Sequence, residues 1–94
     1  MKVEWDEAKD AENRRKHGLS LADAVMLDWV GAEVVADERA DYGEVRQVAY
    51  AFLDGRMHTC GFTLRQGARR IISLRKSNSR EIRDHGTASE TPSD

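Results

Sequence analysis

Glu44, Arg46, Thr63 and Arg65 are the residues whose types and spacing could do chemistry, once the turn between them is read. Asp54-Gly55 lies between two β-prone runs, Arg46 to Leu53 and Arg56 to Arg65, and is a two-residue hairpin signal. In a type I′ turn Leu53 opposes Arg56, and the same register sets Arg46 against Thr63 and Glu44 against Arg65. A carboxylate, two guanidiniums and a hydroxyl at one end of a sheet face can bind a phosphodiester and act on it. The same residues also suit a cross-strand salt bridge that finishes the sheet end. The next strand, Arg70 to Arg75, brings a further arginine. A three-residue turn would bring Ser73 and Arg75 to the cluster, whereas a turn of two or four would bring Arg70.

Lys9, Asn13 and His17 recur at i, i+4 and i+8 and share one face of a first helix. On so polar a helix such a stripe is ordinarily solvated, and His17 beside Gly18 can interact with the last carbonyls. His17, His58 and His85 show no ligand spacing and Cys60 stands alone, so neither metal nor cofactor is expected. Cys60 has no base beside it and is expected inside the sheet as a small hydrophobe.

The elements that must position these groups follow from periodicity and caps. Lys2 to Trp5 alternates as a short strand with Val3 and Trp5 inward. Asp6 caps a helix over Glu7 to Lys16 that ends at Gly18, with Ala8 and Ala11 as its only apolar residues. Ser20-x-x-Asp23 opens a second helix running to about Trp29. Val34 to Ala36 is a short strand, followed by a polar loop over 37–43 and the mostly antiparallel meander described above. Ser79 can cap a short helix up to Gly86, and residues 87–94 form an aperiodic tail expected to be disordered. Residues 1–86 are read as one α+β domain.

Ninety-four residues suffice for one core, since a chain this size buries roughly 64% of its unfolded surface. One cysteine excludes an internal disulfide, and no apolar run is long enough to span a bilayer. The first residues lack the apolar stretch of a signal peptide, so a cytoplasmic protein is expected. The net charge of −2 conceals a strong division. Residues 19–45 carry one basic and seven acidic side chains; residues 46–86 carry nine basic and three acidic, and eight of the nine cations are arginine. Arginine's planar fork matches phosphate, so the second half is where an anionic ligand would bind.

Trp5-Asp6, Lys9, Asn13, Lys16-His17-Gly18, Ser20, Ala24, Asp28, Gly43-Glu44, Arg46, Thr63-x-Arg65 and Arg70-Ile71-Ile72-Ser73-x-Arg75, in this order, resemble the BrnT family of bacterial type II toxins. The resemblance covers about residues 2–85. It implies a RelE-like fold, a small antiparallel sheet with two N-terminal helices and a short C-terminal helix. It also implies a ribonuclease that arrests translation, neutralised by a BrnA-like antitoxin of ribbon-helix-helix type that carries the complex to operator DNA. Two departures stand out: a short loop after the second helix, and His85 where the family usually has a tyrosine.

Cleavage of RNA without a metal needs a base for the 2′-OH, cations for the phosphorane charge and an acid for the leaving 5′-oxygen. Arg65 and Arg75 suit the phosphate, Glu44 or His17 the proton transfer, and Lys9 with Arg46 the positioning of RNA. Arg70 joins the RNA-binding set, and His85 can stack on a base. The competing expectation is a non-catalytic module whose basic sheet face binds an acidic protein or a nucleic acid.

Overall fold

In a computed structural model the chain runs β1 (Lys2–Trp5), α1 (Glu7–His17), a 3-10 helix (Leu21–Met26), β2 (Glu33–Ala36), β3 (Gln47–Leu53), β4 (Arg56–Arg65), β5 (Ala68–Lys76) and α2 (Ser79–His85). The structure describes residues 1–39, 41 and 43–86; the tail expected to be disordered lies outside them. The five strands form one sheet in the order β1-β5-β4-β3-β2.

Asp54 and Gly55 both take positive φ, 51° and 75°, as a type I′ turn requires. The register is the expected one throughout, from Leu53 opposite Arg56 to Gln47 opposite Phe62. A second turn of the same kind, Gln66-Gly67, sets Arg65 opposite Ala68. The sheet is mixed rather than wholly antiparallel, because β1 pairs parallel with β5, Trp5 opposite Ile71. Local alternation identifies β1 as a strand but carries no information about its neighbour. The meander from β2 to β5 leaves the far edge of β5 open, and β1 covers it.

Helix α1 continues along that edge. Asn13, buried, donates through Nδ2 to the carbonyls of Leu74 and Leu19 at 2.8 Å each, and its Oδ1 accepts from Leu74 N–H at 3.0 Å. A side-chain amide thus extends the ladder that β1 begins. Asp10, also buried, accepts from the Leu21 N–H at 2.7 Å and from the Ser20 hydroxyl at 2.9 Å, which ties the helix to the following segment. The expected second α-helix is a single short 3-10 stretch. Ser20 and Asp23 form the expected capping box, but Leu27 already has extended backbone with ψ 145°. Two turns bury Leu21 and Ala24, and Leu27 and Trp29 beyond them reach the core from non-helical backbone.

These pieces cover one face of the sheet. The core gathers Leu21, Ala24 and Leu27 over Ala49 and Ala51 of β3, Cys60 and Phe62 of β4, and Ile71 and Leu74 of β5. Each fully buried large aliphatic side chain there contributes about 1.5–3 kcal/mol. Burial pushes the Cys60 thiol up to about 12, as expected of an inert interior cysteine. Ile71 and Leu74, three residues apart, both face the core, although a regular strand would send them to opposite faces. The register shift between Gly61 and Phe62 explains this: Phe62 pairs with Ile71 and Gly61 with Ser73, leaving Ile72 as an extra, bulged residue. Among the described residues no helix is long and apolar enough to cross a membrane.

Candidate active site

The bulge decides what the outer face of the sheet carries. Before it, Arg70 lies opposite Thr63; after it, Ser73 lies opposite Gly61 and Arg75 opposite Thr59. Thr59, Gly61, Thr63 and Arg65 alternate onto one face of β4, so Arg70, Ser73 and Arg75 share that face. The turn of two residues and the alternative parity therefore both contribute: one extra residue brings the two arginines to the same side.

Across the middle of this face Glu33, Tyr50, Thr59 and Arg75 form a row, each paired with the next through β2, β3, β4 and β5. Helix α2 lies over the row. Asn78, not the expected Ser79, is its N-cap, and Glu81 completes the capping box. Glu81 also meets Arg75 in a two-pronged pair, Nη1 and Nη2 each 2.8 Å from a carboxylate oxygen. The Arg75 hydrogen bonds, with help from the Asn78 N–H, hold the Glu81 carboxyl down at about 2 despite partial burial. Below them the Thr59 and Ser77 hydroxyls share a buried 2.8 Å hydrogen bond. At the end of α2, His85 stacks on Tyr50 with ring centroids 3.8 Å apart and planes 7° from parallel. Its Nδ1 is 3.0 Å from a Glu33 oxygen, an ion pair when the ring is protonated. Burial is the main cause that raises the Tyr50 phenol above its ordinary value. Tyr50, Thr59, Arg75, Glu81 and His85, with Arg80 and the start of the β2–β3 loop, line a cleft of about 530 Å³.

The other expected cluster forms as well. Glu44 sits between two arginines, 3.2 Å from Arg46 Nε and 3.7 Å from Arg65 Nη2. Thr63 does not face a substrate directly, since its hydroxyl donates to the Val45 carbonyl at 2.6 Å. Arg70, opposite Thr63, pairs with Glu4 of β1 at 3.0 Å. Arg65 and Arg75 do not converge on one point. Arg75 is opposite Thr59, and Thr59 is separated from Arg65 by roughly 20 Å of strand.

Lys9 and His17 line a separate groove of about 180 Å³ with Glu12, Lys16 and Ile72. It adjoins the main cleft at Ser73, which lines both. His17 is thus in a different cavity from Glu44, and Asn13, between Lys9 and His17 on the helix, is committed to holding β5. Glu33, Tyr50 and Glu81 join the site without being among the residues that the sequence singles out. The Asn78-x-x-Glu81 spacing is a capping-box signal that marks Glu81. Tyr50 opposite Thr59 follows from the same hairpin register that places Arg65.

A family model described as the ribonuclease toxin BrnT of type II toxin-antitoxin systems matches residues 5–81. Among solved structures, the 1.1 Å crystal structure of the Brucella abortus ribonuclease toxin BrnT is 30% identical, with a TM-score of 0.66 over 84% of this chain and 99% of that one. No protein of curated function gives a significant match. The family match runs from Trp5, the last residue of β1, to Glu81 in α2, and the structural match covers 84% of the chain, so this chain belongs to the BrnT family of type II ribonuclease toxins.

Proposed function

We propose that this protein cleaves RNA by internal transesterification in the α2 cleft, using its own side chains and no metal ion, and thereby inhibits translation in the cytoplasm. The observation that carries this is the outer face of the sheet, where the Ile72 bulge puts Arg70 and Arg75 on the side that already carries Arg65 and the Tyr50–His85 stack. RNA lies across that face. Arg75 holds the scissile phosphate, and Arg65 and Arg46, kept in place by Glu44, hold a second phosphate farther along. Lys9 and Arg70 extend the track. The 2′-oxygen attacks phosphorus and the bond to O5′ breaks, leaving a 2′,3′-cyclic phosphate and a 5′-hydroxyl. Imidazole both accepts and donates, so His85 beside Glu33 carries the proton from O2′ to O5′. Arg75 opposes the charge that builds on the phosphorane. Glu44 then acts through its arginines, and His17 contributes through the adjoining groove.

The fold assignment consistent with this activity is RelE-like, and the partner is a BrnA-like ribbon-helix-helix antitoxin through which operator DNA is reached. The test is cleavage of a single-stranded transcript by the purified chain in EDTA, alongside induction in a bacterium. Cyclic phosphate ends, growth arrest and message loss are expected. Activity that vanishes with chelator and returns with magnesium overturns the metal-free route. Stable folded protein that neither cuts RNA nor slows growth supports the non-catalytic binding module instead.

A further inference from the structure

We infer that Glu81 is a positioning residue for Arg75, an inference that rests on the ribonuclease reading above and assigns Glu81 a role besides capping α2. Its carboxylate takes both terminal nitrogens of the guanidinium at 2.8 Å, which fixes the plane of the fork rather than merely its charge. Nη1 also reaches the Lys76 carbonyl at 3.4 Å, so the Nε–H and the second Nη2 hydrogen are the ones a phosphate would take. Both residues line the cleft. Glu81 is itself held. Its Oε1 accepts from the Asn78 N–H at 2.9 Å and its own N–H donates to Asn78 Oδ1 at 2.8 Å. The orientation of Arg75 on β5 is therefore set by the cap of a helix that begins a few residues later. An arginine free to rotate would spend much of its time out of line with the phosphate, and a misplacement of about 1 Å can cost on the order of 100-fold in rate.

Glutamine also completes a capping box, so Glu81→Gln keeps the α2 cap and removes the charged half of the two-pronged pair. We expect kcat on a single-stranded RNA transcript to fall about 10- to 100-fold, with KM changing far less. The decisive comparison is Arg75→Ala with and without Glu81→Gln. If Glu81 acts through Arg75, the double variant is no slower than Arg75→Ala alone; a merely structural Glu81 would slow both backgrounds alike. Should Glu81→Gln unfold at the assay temperature, Arg75→Lys replaces it, keeping the charge while losing the fork, and is expected to show the same loss of kcat. An active wild type with Glu81→Gln or Arg75→Lys at full rate overturns the inference alone, as does a Glu81→Gln protein that cleaves faster than wild type. A wild type that leaves the RNA intact overturns the ribonuclease reading, and this inference falls with it.

Discussion

Arg65 and Arg75 show how differently two arginines on one sheet face can be held. Arg65 is about half exposed and its 3.7 Å contact with Glu44 is a surface ion pair, worth at most about 1 kcal/mol to the fold. Arg65→Ala is thus expected to melt within a few degrees of wild type while losing about 1.5–3 kcal/mol of RNA affinity, the range for a charge-assisted contact. Equilibrium RNA binding and a thermal melt on the same preparation check this; unchanged affinity removes Arg65 from the site. Arg75–Glu81, by contrast, contributes to stability, and in a pH-dependent way. The folded Glu81 carboxyl lies near 2 against an ordinary 4.5. Between those values the unfolded chain binds more protons than the folded one, so stability is full above about pH 5 and declines as pH falls toward 2. Allowing for solvent at the partly exposed arginine, the loss is roughly 1–3 kcal/mol. Denaturant titrations from about pH 6 to about 2.5 are expected to show wild type losing more of its midpoint than Glu81→Gln, which has no carboxyl there to protonate. Parallel curves would remove the pair as a source of acid sensitivity.

At the scale of elements, the parts that depend on neighbours in sequence are legible in it and those that depend on distant residues are not. Asp54-Gly55 dictates its own backbone, and a two-residue turn dictates register, so the Glu44–Arg65 contact follows from the amino-acid sequence alone. Cap and stop residues of α1 are equally local: Asp6 caps it and Gly18, at φ 73°, ends it. The parallel docking of β1 is a contact between residues 66 positions apart, and nothing within Lys2–Trp5 encodes it. The bulge at Ile72 is hidden for a related reason, because it shows only as two core residues, Ile71 and Leu74, spaced wrongly for a strand. Asn13 is the sharpest case. Its position on a polar stripe suggests solvent or ligand, yet its amide replaces a missing strand against Leu74. Truncating it leaves the buried Leu74 N–H and carbonyl without partners, at about 1–3 kcal/mol for each such group. Asn13→Ala is therefore expected to lower the melting temperature by roughly 10 °C or more, given about 4–8 °C per kcal/mol in a domain of this size. A melt unchanged from wild type would show that α1 docks on β5 without it.

At the scale of the whole molecule, the division of charge along the sequence does not become a clean division in space. On the β2 side of the cleft Asp37 and Glu38 stand with Arg39, and on the β5–α2 side Arg75 and Arg80 stand with Glu81 and Asp84. The excess of cations in residues 46–86 is partly compensated from elsewhere: Glu4 pairs with Arg70, Glu44 with Arg46 and Arg65. These compensating carboxylates cannot be assigned from charge counts, and they reduce the net attraction that the counts suggest. What remains is a face whose arginines can exchange an intramolecular carboxylate for an incoming one, or for phosphate. If RNA is cleaved in this cleft as proposed, an antitoxin would silence the toxin most directly by supplying acidic side chains to this face and covering the cleft. Such an interface is expected to weaken as salt rises from about 0.05 to 0.5 M, because the Debye length that screens its rim charges shortens from about 14 Å to about 4 Å. It is also expected to fail selectively: Arg65→Ala and Arg80→Ala should weaken the antitoxin and RNA together, since the two ligands use the same cations. Measuring RNA cleavage as purified antitoxin is added distinguishes overlap from remote binding. Competitive loss of cleavage, with the antitoxin displaced by excess RNA, is the expected result. A complex that forms and still cleaves at the free rate would place the antitoxin on another surface.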